Sequence, residues 1–232
     1  MNKFFTMLKT ELKLSFRGMD MMIFAVCMPV VIVILLGIIY GGKPAFDGAD
    51  YTFLEQSFGA VSTIAVCAGG VMGLPLVISD YRQKKILKRF KITPSSPLLL
   101  LSIQVAIYMI YSLIALVLIY LVSALLFGMS LKGAFLPFIG AFFLVMISMF
   151  SIGMLVGGVS PNIKIASVLA SLLYFPMLIF SGATLPYEVM PAALQKVADV
   201  LPLTQGIKLL KATSLGLPAE NGMASLIVMA VI

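Results

Sequence analysis

The chain has no histidine, only two cysteines among its 232 residues, and few charges: Asp, Glu, Lys and Arg together make up 11% of it. Without histidine, and with no cluster of carboxylates or thiolates, it offers no constellation for acid–base, nucleophilic or metal-assisted catalysis. Cys27 and Cys67 each fall inside an apolar run with no second ligand at metal spacing, so both read as inert core residues that say nothing of redox compartment. A phosphate-binding loop of the G-x-x-x-x-G-K-[ST] type is also missing, because Gly41-Gly42-Lys43 is followed by Pro44 where a hydroxyl is required. No cofactor site is expected in this chain, and it is not expected to be an enzyme or to hydrolyse ATP by itself.

What is present is hydrophobic. Residues of apolar type make up 61%, and mean hydropathy is +1.13, whereas about a quarter of an ordinary soluble domain is charged. The composition predicts an all-α integral membrane protein, a polytopic helical bundle in a single domain over 1–232. Its formal charge of +7 has no nucleic-acid-binding motif around it, so no nucleic acid partner is expected.

Uncharged runs predict the spans: 21–40, 56–79, 97–127, 134–156 and 165–182. Residues 1–20 precede them as an amphipathic helix suited to the membrane interface, with Phe5, Leu8, Leu12, Phe16 and Met19 on its apolar face. No small-residue cleavage site follows Tyr40, which argues against a signal peptide. Residues 183–220 mix charges into two proline-opened amphipathic helices, read as short re-entrant or interfacial elements on the outer side. The last apolar run, 222–232, is about half a span, so a sixth span is expected to be truncated.

Positive charge is concentrated in one place. Six of the sixteen Lys and Arg residues lie between Arg82 and Lys91. With the N-terminus inside, these residues join Lys3, Lys9, Lys13, Arg17 and Lys164 on the cytoplasmic side, leaving Lys43, Lys132, Lys196, Lys208 and Lys211 outside. The positive-inside rule therefore orients the chain with a cytoplasmic N-terminus. On a helical wheel Ile86, Leu87 and Phe90 gather on one side of the segment 80–94, and Lys84, Lys88 and Lys91 on the other. Membrane lipids are a natural partner for such a face; so is a docked protein.

Within the spans, Gly37-x-x-x-Gly41, Gly69-x-x-x-Gly73 and Gly153-x-x-x-Gly157 allow close helix approach, for which intramolecular packing is the plainer use. Pro29, Pro75 and Pro176 are candidate hinges. No Asp, Glu, Lys, Arg or His lies clearly within the five uncharged runs, which weighs against a proton-coupled carrier.

These features resemble a known family. Asp80-Tyr81-Arg82, then Lys85-Ile86-Leu87-Lys88-Arg89-Phe90, ending in Thr93-Pro94, looks like the cytoplasmic coupling segment of ABC-2 type transporter permeases. Phe180-Ser181-Gly182-Ala183-Thr184-Leu185-Pro186, Met190-Pro191 and Leu201-Pro202-Leu203-Thr204 resemble that family's stretch between the fifth and sixth spans. The resemblance implies a permease of an ATP-driven exporter in a bacterial plasma membrane. It would pair with a second permease chain as a homo- or heterodimer and work with separate ABC ATPase subunits that bind ATP and Mg. Export of a lipophilic or amphiphilic substrate, such as a drug or antibiotic, is the corresponding expectation. The coupling residues are then Asp80, as the cap of the segment, with Arg82, Lys85, Ile86, Leu87, Lys88, Arg89 and Phe90; Ser181, Gly182, Pro186, Pro191 and Pro202 form a candidate outer gate. An ion-coupled or passive transporter, or a non-transporting assembly factor, stands as the alternative reading.

Overall fold

The structure, a computed structural model, describes residues 3–18, 23–46, 48–90, 96–183, 190–217, 225 and 227–229. Helices dominate it because a chain this apolar must satisfy its backbone groups internally. In order they are α1 (Lys3–Gly18), α2 (Ile23–Tyr40), α3 (Phe53–Gln83), α4 (Ile86–Phe90), α5 (Pro97–Phe127), α6 (Phe135–Val159), α7 (Ile163–Phe180), α8 (Ala192–Val200) and α9 (Pro202–Leu215). Five of them, α2, α3, α5, α6 and α7, are long and apolar enough to cross a membrane. Pro186 and the segment 91–95 lie outside the described residues.

Local chemistry sets the ends. Thr52 accepts from the Glu55 backbone while the Glu55 carboxylate accepts from the Thr52 N–H, a reciprocal box that starts α3. Ser96 caps α5 ahead of Pro97, and Asn162 caps α7. Gly128 and Gly216 stop α5 and α9 in the left-handed conformation.

Two of the three candidate hinges have a visible backbone signature. A π-helical stretch, Ile23–Cys27, precedes Pro29, and another, Ala68–Gly73, precedes Pro75. A proline ring crowds the carbonyl four residues earlier and donates no hydrogen bond. Here those carbonyls belong to Ala25 and Val71, inside the wider turns, where the helical ladder is already re-registered. Pro176 sits within α7 instead.

The bundle is built around α3. In its most apolar window 83% of residues are buried, against 28% for α2 and 17% for α7. Helices α2, α5, α6 and α7 all pack on it. Glycines admit the closest approaches: a side chain on Gly153 would collide with the Gly70 carbonyl, Gly157 lies against Ile78 and Pro75, and Gly69 and Gly73 lie against Tyr108. All three glycine pairs of the sequence thus serve contacts within the chain, since Gly37 faces Phe127 and Gly41 ends α2.

Helix α1 packs along α5 on part of the face the wheel suggests, through Leu8 and Leu12, with Phe16 edge-on to Tyr111. Phe4, Met7, Leu8 and Leu12 touch the core, while Phe5 and Phe16 are exposed. Helices α8 and α9 meet at Leu201 and pack on one another. Helix α9 lies lengthwise in a groove between α3 and α6, with Thr213 against Gly133, Leu210 against Gly59, and Gly206 against Val145. From Thr213 to Leu201 is twelve residues, so at 1.5 Å per residue the α8–α9 corner reaches roughly 18 Å into the bundle.

Candidate functional site

The end of α3 that carries the basic segment is tied by its side chains to four other helices. At about 46 Å, α3 is longer than a bilayer core of about 30 Å, so its last turn carries Asp80 to Gln83 out of the apolar region. The Tyr81 hydroxyl donates to Glu11 Oε2 of α1 at 2.8 Å. Gln104 of α5 donates to that same carboxylate oxygen at 3.0 Å and to the Tyr81 oxygen at 2.8 Å. One turn away, the Tyr111 hydroxyl donates to Ser15 Oγ at 2.7 Å. Arg82 donates to the Gly158 carbonyl at the end of α6, and the Gln83 side chain accepts from the Ile163 N–H at the start of α7, 3.2 Å away.

Beyond Gln83 the chain turns. Lys84 closes the helix onto the Asp80 carbonyl, and Lys85 takes φ 56°, a left-handed conformation that costs a non-glycine residue roughly 1 kcal/mol or more. A new turn, α4, then runs from Ile86 to Phe90. This differs from the expected arrangement in one respect. Asp80 does not cap a new helix; it sits inside α3, one turn before its end, and its carboxylate pairs with Lys84 at 2.8 Å. A charge marks where a helix leaves the hydrocarbon, not where it stops.

The segment divides by polarity as its sequence suggests. Ile86, Leu87 and Phe90 are half-buried, and α4 packs beside α5. Arg82, Lys84, Lys85, Lys88 and Arg89 are exposed. Among the described residues, Lys85, Lys88 and Arg89 have no carboxylate within ion-pair distance. The arrangement can therefore bind an anionic surface without first breaking an internal pair.

The residues grouped as an outer gate are spread over the opposite part of the chain. Ser181 is buried and its backbone N–H caps α7; Gly182 has φ 91°; Pro191 and Pro202 open α8 and α9. The α8–α9 corner carries polar groups that sequence reasoning did not single out. Lys208 pairs with Asp199 at 2.6 Å, the Gln205 amide donates to the Asp199 carbonyl at 2.7 Å, and Ser225 donates to Gln205 Oε1 at 2.7 Å. The latch of Glu11, Tyr81 and Gln104 was missed as well. Its one sequence signal is a carboxylate in a basic helix and an amide in an apolar run.

Residues 2–215 match the family described as ABC-2 type transporter. Nodulation protein J of Rhizobium leguminosarum bv. viciae is 38% identical over 71 residues, a match spanning 31% of this chain and 27% of that protein. No solved structure matches the chain.

Proposed function

The chain belongs to the ABC-2 type transporter family, and we propose that it is the permease subunit of an ATP-driven exporter, moving a lipophilic or amphiphilic substrate outward. A separate ABC ATPase binds ATP and Mg and docks on the segment from Asp80 to Phe90. The observation that carries this reading is the pairing of exposed cations with a mount of hydrogen bonds to four other helices. Lys85, Lys88 and Arg89 are exposed and have no carboxylate partner among the described residues, while Tyr81, Arg82 and Gln83 tie the helix just before them to α1, α5, α6 and α7.

Such a mount converts docking into motion. Helix α3 carries the basic segment at one end, and near its other end Gly59 packs on Leu210 of the re-entrant helix α9. When the ATPase closes on ATP, a push on the segment displaces α3, and the π stretch before Pro75 is the place where that displacement bends the helix. Movement of α3 at Gly59 shifts α9 and with it the Asp199–Lys208 corner, which acts as the outer gate. The bundle axis is filled by α3, so the pathway lies against a second permease chain.

In this reading the N-terminus and the basic segment are cytoplasmic, in a bacterial plasma membrane. The test is charge reversal: Lys85→Glu with Arg89→Glu, expressed with the cognate ATPase, should lower copurification of the ATPase by tenfold or more. Unchanged assembly and transport would remove the basis for docking at this segment.

A further inference from the structure

Between α5 and α6, on the side of the bundle nearer the basic segment, a groove of about 390 Å³ opens outward. Val105 and Met109 of α5 and Met146, Phe150, Ser151 and Met154 of α6 form its walls. The volume lies in the range of small-molecule sites, about 300–1,000 Å³. Its one hydroxyl is already committed, because Ser151 donates to the Ile147 carbonyl of its own helix at 2.9 Å. The walls are thus wholly apolar in effect, and three methionines let them adapt to a flexible chain.

An apolar groove in a membrane protein is unremarkable alone, since surrounding lipid tails are as apolar as its walls. Its mouth is what distinguishes this one. Gln104, next to Val105, bonds to Tyr81 at 2.8 Å, and Gly158, one turn beyond Met154, accepts from Arg82. The two walls therefore end at the level of Tyr81 and Arg82. The Arg82 guanidinium is exposed, and with one carbonyl as its hydrogen-bond partner it keeps further N–H donors for a ligand. Among the described residues the two carboxylates of this end are engaged, Glu11 by Tyr81 and Gln104, and Asp80 by Lys84.

We propose that the α5–α6 groove is a binding site for an anionic glycerophospholipid of the adjacent leaflet, with an acyl chain along the methionine-lined walls and the phosphate on Arg82. The guanidinium fork suits a phosphate, and each basic residue engaged at a membrane surface favours anionic lipid by about fivefold. Selectivity resides in the headgroup, because the tail gains little from leaving other tails. This inference does not depend on the docking of an ATPase.

The chain contains no tryptophan, so Met109→Trp creates a single fluorescent reporter inside the groove. Val168→Trp, on the exposed face of α7 at a similar distance from the basic end, serves as the control. Each purified full chain is reconstituted into phosphatidylcholine vesicles containing a small fraction of phosphatidylglycerol or phosphatidylcholine brominated in its acyl chain. At position 109 the brominated anionic lipid should associate about fivefold more strongly than the zwitterionic one, with no such preference at position 168. Adding Arg82→Gln should abolish the preference, and Arg82→Lys should retain most of it. Equal quenching by the two lipids at 109, absence of quenching there because another chain or the cargo fills the groove, or a preference that survives Arg82→Gln would each overturn the proposal.

Discussion

Where α3 leaves the bundle, five basic side chains are exposed and, among the described residues, a single pair, Asp80 with Lys84, neutralises one of them; at the opposite end Lys132 stands 3.7 Å from a buried Glu55, and in the α8–α9 corner Lys208 stands 2.6 Å from Asp199. The contrast extends to how helices are joined. The first end is laced by long side chains, Tyr81, Arg82, Gln83 and Gln104, which can tilt without losing contact. The second is joined by backbone against backbone at Gly133 and Gly59, and by the Lys132 ammonium on the Asp50 carbonyl. Both ends hold close glycine contacts, Gly157 on Pro75 and Ile78 at the first and Gly133 and Gly59 on α9 at the second, but the first also keeps a cluster of exposed cations. In the proposed transport cycle the first is the driving part and the second the driven part.

The largest effect expected from breaking this contrast is at a glycine. A Cβ on Gly133 would meet the Thr213 carbonyl oxygen and lie 2.9 Å from the Gly216 nitrogen, both of them backbone atoms. Gly133→Val should therefore cost about 3 kcal/mol or more, undocking α9, with a fall in thermal midpoint in detergent and new proteolysis between residues 190 and 217. At the basic end Gly158 has open space around its Cβ position, and Gly158→Ala should be neutral or slightly stabilising. Equal damage at the two sites would mean that the ends are not packed differently.

Next in size is the buried carboxylate. Glu55 is 6% exposed, caps α3 through Thr52, meets Ser130 Oγ at 3.2 Å and faces Lys132. Glu55→Ala should cost roughly 2 kcal/mol by leaving a cap and a cation unanswered, measured as a shift in denaturation midpoint. Assembly with the ATPase should not change. Lys88→Glu at the other end should do the reverse, lowering ATPase copurification about tenfold while the denaturation midpoint stays put. A loss of stability from Lys88→Glu would show that the basic end is also internally paired.

Much of this was readable along the chain, and the parts that were not share a cause. The spans and the basic cluster are visible because apolar runs and charge are local properties. Pro97 and Gly128 mark the ends of α5 for the same reason. The start of α3 was harder to see: Glu55 looks like a loop charge until Thr52 is seen to cap with it. The helix also persists through Asp80 to Gln83, since charge does not break a helix that has emerged from lipid. The wheel put Phe5 and Phe16 on one interfacial apolar face with Leu8 and Leu12 but has no knowledge of where α5 lies, and the turn at Lys85 has no glycine to announce it. The latch joins Glu11 to Tyr81 and Gln104 across 70 and 93 residues, and no local pattern encodes such a meeting. The α8–α9 pair read as re-entrant or interfacial, but the neighbours of α9, which packs on Gly59, Val145 and Met229, are distant in sequence and left no local signal.

The smallest expected effect tests whether the latch only holds the basic end together or transmits force. Tyr81→Phe removes one hydroxyl and leaves the ring, the charges and the bond between Gln104 and Glu11 in place. The loss of a single donor to a carboxylate should cost about 1 kcal/mol, a shift of a few degrees in thermal midpoint. ATPase copurification should remain at the unsubstituted level, because Lys85, Lys88 and Arg89 are untouched. If α3 is driven through its ties to α1 and α5, however, ATP hydrolysis should persist in reconstituted vesicles while transport per ATP falls severalfold. A latch that serves only for stability would lower both in proportion to the amount of folded protein, so the ratio of transport to hydrolysis is the quantity that separates a mount from a lever.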